Sequence, residues 1–415
     1  MLRSIGGMGR ILASTWPALL AWYLLGSLVR ASVIAFAAPI GPDNPLGALL
    51  LVPIAVLARL VSYVGMFLVL RRALVGYREV AGNEVEFGGF REAASEFIRI
   101  LLASVGPFFA LYAIIGLLTE DLEEYARAAV RYSFGADTSG FQVGASPIAL
   151  AVVVTAFVLR WLLKVFAPKL PAWTGIAEIY LEATWVFVAL TAINSLFGPV
   201  VEWINDRQVT HWIADSRAWL SSLWAPLRFA IDQLDWLTPV ALQLILLPLA
   251  WLLIASIIYL RSLGNVEEDS EAVPRSIAET LALGSRRLPS LVRQYRHVFT
   301  GTWDSLVRPV IYSGRVILRA GFTNLVIFAA AYGLLFAATN WVRRVVYVAM
   351  GAHDIEFWWV ADAGVSALIL AISEPLRIVL LAVAFDFCLR RWNRLRMPVP
   401  LPSAAADPVT APVRT

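Results

Sequence analysis

Only one cysteine, Cys388, occurs in the chain. No internal disulfide is available, so outside loops must hold their shape without one. Histidine is nearly as scarce. His211, His297 and His353 are scattered, and no zinc spacing joins them. His353, Asp354 and Glu356 stand beside Trp358 and Trp359 and read as a solvated loop. No glycine-rich loop precedes a Lys-Ser/Thr pair, which excludes that type of nucleotide motor. Charge is thin, at 15% of residues against about 25% in soluble domains. Of 34 basic residues only Lys164 and Lys169 are lysine. The arginines spread along the chain instead of gathering on one module, which argues against a nucleic-acid partner. With no catalytic signature, the expectation is a protein that is not an enzyme and carries no cofactor and no metal.

What the chain has is apolar residues, 59% of the total, in evenly spread runs. A helix needs about 20 residues to cross the hydrocarbon core. Eight runs qualify, near 14–36, 46–70, 98–118, 147–168, 176–198, 237–260, 321–342 and 364–389. They predict an all-α polytopic membrane protein with a single membrane domain over 1–396 and a cytoplasmic insert over 261–320. The Pro- and Ala-rich tail 397–415 reads as disordered. The run from Ile11 to Ala38 exceeds a typical signal core, so it is taken as a retained first span. Pro53, Pro107, Pro239, Pro248 and Pro375 fall inside spans, where each removes a backbone donor and favours a kink.

Basic residues set the expected orientation. With the N-terminus inside, cytoplasmic segments hold 21 Arg and Lys and outside loops hold 7. Both termini are therefore placed in the cytoplasm, in a plasma or inner membrane. Arg71-Arg72 and Arg390-Arg391 close the second and eighth spans, where the helix dipole also favours cations. The first and last hairpins share a pattern. Arg3 and Gly9-Arg10 precede one, Arg308 and Gly314-Arg315 precede the other, and each partner span carries a mid-helix arginine, Arg59 or Arg377. Repeated two-span units would produce this, as would chance likeness among Arg-rich hairpins.

Charges inside spans are costly and therefore informative. Arg160 and Lys164 share one face of the fourth span, and Glu178 and Glu182 share one face of the fifth. A short turn joins the two spans, which makes them antiparallel. In that register Arg160 is level with Glu182 and Lys164 with Glu178. Such pairs serve either as a clamp on the hairpin or as a polar path. Lys164 and Glu178 are shallow enough to snorkel. In the eighth span Glu374 and Arg377 lie three apart around Pro375, a polar and kinked mid-membrane segment. Asp386 is expected at the interface. Arg59 has no acid on its own or the preceding span, and Glu374 and Glu182 are its candidate partners. Convergence of Arg59, Arg160 and Arg377 would give a positive cavity suited to an anionic group.

Two further segments are amphipathic. Residues 199–236 carry Trp203, Trp212, Trp219, Trp224 and Trp236 and predict one or two helices on the outer leaflet. Within the insert, Ser276 and Glu279 form a capping-box pattern. Near 289–299, Leu291, Val292, Tyr295, Val298 and Phe299 alternate with Arg293, Arg296 and His297. This predicts a basic helix on the anionic inner leaflet, with membrane lipids as partners and a protein partner as a further option. The expected function is a permease or flippase-like transporter for an anionic or amphiphilic substrate, with Arg59, Arg160, Lys164, Glu178, Glu182, Glu374 and Arg377 lining the path. The alternative is a non-transporting scaffold or assembly subunit in which the same charges form structural ion pairs.

Overall fold

The computed structural model describes residues 7–81, 89–130, 132, 146–166, 170, 174–223, 225–263 and 310–396. Among these residues there are helices and no strands. In chain order they are α1 Met8–Ala37, α2 Pro45–Leu70, α3 Val75–Ala81, α4 Phe90–Ile114, α5 Leu117–Val130 and α6 Pro147–Phe166. There follow α7 Thr174–Asn205, α8 Gln208–Leu223, α9 Ala225–Ser262, α10 at 310–318, α11 Phe322–Met350 and α12 Ile355–Arg396. Seven of these are long and apolar enough to cross a membrane. The molecule is thus a multi-pass membrane protein by helix length and hydropathy.

Of the eight expected spans, seven coincide with these helices, and the one expected over 147–168 coincides with α6. The helix α6 runs over Pro147–Phe166, 20 residues, and its described apolar part is Pro147–Leu163. The third span, expected over 98–118, ends earlier. Gly116 takes φ +82, a left-handed conformation that side chains resist, and the chain turns back into α5. Other helices outrun their apolar runs, because a helix continues wherever backbone bonding and propensity allow. Residues 199–236 accordingly belong to the end of α7, to α8 and to the start of α9, and α7 and α9 continue the neighbouring spans. The basic segment 289–299, most of the insert 261–320 and the tail 397–415 lie outside the described residues.

The core is built around α2, which packs against α1, α4, α5, α7, α9 and α12. A helix with neighbours all round must be apolar all round. Accordingly Ala55, Val56, Leu57, Ala58, Leu60 and Met66, which together face every side of the helix, are all buried. Asn44 starts the helix by accepting from the Gly47 N–H at 2.9 Å, and Pro45 occupies its first turn. Gly26 on α1 meets Ser62, and Gly65 on α2 meets the Trp22 ring, so these two helices approach through positions with no side chain. By contrast, the apolar stretches of α1 and α11 are each only 11% buried.

Side-chain contacts fix the directions of the neighbours. Arg71 pairs with Glu96 at 2.6 Å and Arg59 donates to Tyr112, so α4 runs antiparallel to α2. Arg377 meets Tyr63 and Asp386 meets Tyr77, so α12 runs parallel to α2. Asp386, expected near the cytoplasmic edge, is buried against the start of α3. It accepts the Tyr77 N–H at the start of α3 and pairs with Arg390 at 3.1 Å. Between Arg377 and Asp386 the α12 residues Ile378 to Phe385 are all buried. Phe385 stacks on Tyr259, which meets Phe67 edge-on. This level of the bundle is apolar and aromatic.

Candidate functional site

A belt of charged and aromatic side chains crosses the bundle on the other side of that apolar level. Its centre is Asp121, only 2% exposed, on the amphipathic helix α5. Leu118, Asp121, Tyr125 and Ala129 recur at helical spacing and form the face that α5 buries. Burial also pushes the Tyr125 phenol above its ordinary pKa. An ionised carboxylate is tolerated there only with compensating partners. Arg30 on α1 lies 2.5 Å from one Asp121 oxygen, and Arg59 lies 3.5 Å from the same atom. The Tyr112 hydroxyl donates to the other oxygen at 2.6 Å. Arg30 also grips Glu124, at 2.5 and 3.2 Å, through two nitrogens.

Arg59 therefore finds its acid in Asp121 and a second partner in Tyr112, not in the expected Glu182. Glu374 acts on Arg59 through space. Asp121 lies beyond the third apolar run, on the amphipathic helix α5, so no span sequence carries this partner of Arg59. An acid on the otherwise apolar stripe of Leu118, Tyr125 and Ala129 was the available signal.

One turn along α2, Tyr63 links this group to a second one. Arg377 donates to the Tyr63 hydroxyl at 2.8 Å and pairs with Glu374 at 2.5 Å. Its guanidinium lies 4.2 Å from the Trp251 ring centroid and 5.6 Å from that of Tyr63. These two rings meet edge-on at 5.0 Å, and Tyr332 of α11 lies close to Arg377. Tyr63 feels both Arg59 and Arg377, and so does Tyr23 of α1. Surface remains accessible on 27% of the Arg59 side chain, 17% of Arg377 and 13% of Glu374.

The expected meeting of three arginines is thus corrected to two, because Arg160 is committed elsewhere. Its guanidinium pairs with Glu182 on α7, and the Trp185 indole N–H donates to the same carboxylate at 3.0 Å. Phe157 packs edge-on against Trp185 beside this pair. Glu178 is half-buried on the same helix, and the Lys164 side chain lies outside the described residues. The charges of the belt balance instead of leaving an excess of arginine. Arg30, Arg59 and Arg377 stand against Asp121, Glu124 and Glu374.

Among the described residues no group of three metal-ligating side chains comes together. Fold and site together define an integral multi-pass membrane protein with buried ion pairs. No family model matches the chain, nor does any curated protein or solved structure.

Proposed function

We propose that the protein is a permease or flippase-like transporter for an anionic or amphiphilic substrate, not an enzyme. The carrying observation is the continuity of the polar belt. It runs from half-exposed Glu124 through Arg30, Asp121 and Arg59 to Tyr63, Arg377 and Glu374, and it stops at the apolar level of Phe67, Tyr259 and Phe385. A polar route that reaches mid-bundle and then meets an apolar seal is the arrangement expected of one state of an alternating-access device. In this reading Arg59 and Arg377 exchange their carboxylate partners for the substrate's charged group. Arg160, Lys164, Glu178 and Glu182 then hold the register of α6 and α7. Both termini face the cytoplasm of a plasma or inner membrane.

The test is movement of labelled lipids and small anions in vesicles holding the purified protein. Transfer faster than in protein-free vesicles, and lost in both Arg59→Gln and Arg377→Gln, is the expected result. Absence of any transfer by folded protein overturns the reading. A second reading, a non-transporting scaffold, is favoured by the locally closed Arg160–Glu182 pair and by the wide exposed faces of α1 and α11. Fixed-stoichiometry complexes from native membranes, with no transfer, would support it.

A further inference from the structure

We infer that the belt recognises a zwitterionic group, an ammonium held close to a phosphate or carboxylate. This rests on the transport reading and names its substrate class more narrowly. The first argument is charge. Three arginines face three carboxylates, so the belt has no net positive charge to offer. A lone anion entering it would displace a carboxylate and leave that carboxylate buried without a partner. A zwitterion avoids this, because its two halves exchange with an existing ion pair and every buried charge stays compensated.

The second argument is the chemistry at each end. Around Arg377, the rings of Trp251 and Tyr63 form two walls beside the carboxylate of Glu374. Aromatic faces next to a carboxylate recognise alkylammonium groups. Arg377 fills that position now as an internal cation; when a ligand's ammonium takes its place beside Glu374, Arg377 exchanges that carboxylate for the ligand's anionic half. Arg59, with the hydroxyl of Tyr112 beside it, offers the planar fork that suits a phosphate or carboxylate. The accessible surface left on Arg59, Arg377 and Glu374 allows a ligand to reach both ends. A phospholipid headgroup and a free betaine share this chemistry.

The experiment uses the full-length protein in vesicles and compares matched probes. Labelled phosphatidylcholine is set against labelled phosphatidylglycerol for movement between leaflets, and radiolabelled glycine betaine against acetate for uptake. The expected result is a preference for the zwitterion of roughly tenfold in one of the two comparisons. A preference among lipids identifies a headgroup, and a preference among solutes identifies a free molecule. Glu374→Gln should remove that preference by slowing the zwitterion far more than it slows the anion. Should that variant fold poorly, Trp251→Phe carries the same expectation. Equal rates, or a preference for the anion, overturn the zwitterion and leave transport standing. No movement of any probe overturns both.

Discussion

Asp121 satisfies three partners with two oxygens, so its loss strands more than one of them. Asp121→Asn should destabilise the folded protein by about 3–5 kcal/mol, the usual cost of leaving a buried charge unpaired. Glu124→Gln, half-exposed on the same helix, should cost no more than about 1 kcal/mol. Thermal unfolding in detergent separates the two. For Arg160 and Glu182, Arg160→Glu and Glu182→Arg should each lower folded yield, and the double exchange should restore it. Size-exclusion profiles of the three variants decide this. The pair was legible because residues on antiparallel helices meet at a fixed register, which arithmetic on the sequence supplies. The partners of Arg59 were not, because Asp121 and Tyr112 reach it through tertiary packing of α4 and α5 that no spacing within the chain encodes.

At the level of helices, the tightest constraint lies between α1 and α2. A side chain at Gly26 would collide with Ser62 and the Ala58 carbonyl. Gly26→Val should therefore cost about 1–3 kcal/mol through overpacking, while Gly9→Val, in open space, should leave the melting temperature unchanged. Parallel melts of the two variants check it. Helix existence could be read from apolar runs, but helix ends could not. Hydropathy marks where a chain prefers lipid, whereas a helix stops where its backbone bonding stops. α12 illustrates the gap: its 42 residues span about 63 Å, against about 30 Å of hydrocarbon. Gly116 is the opposite case, a single residue that ends α4 inside what reads as an apolar run.

For the whole molecule, the arginine distribution predicts that both termini share the cytoplasmic side. A fluorescent protein that matures only in the cytoplasm should therefore light up at either terminus, and a periplasmic enzyme reporter should stay silent at both. The all-helical class was legible, but the arrangement of helices was not. Lipid and protein interiors are equally apolar, so nothing in the α2 sequence marks it as the central helix and α1 as a peripheral one. That arrangement has a consequence for biosynthesis. The seam of Gly26, Ser62, Gly65 and Trp22 lies wholly within α1 and α2, which leave the ribosome before the helices that later pack on them. This hairpin is able to close while the rest of the chain is still being made. α12 follows α2 and α9 in the chain, so Tyr63 and Trp251 are made before the Arg377 that they receive.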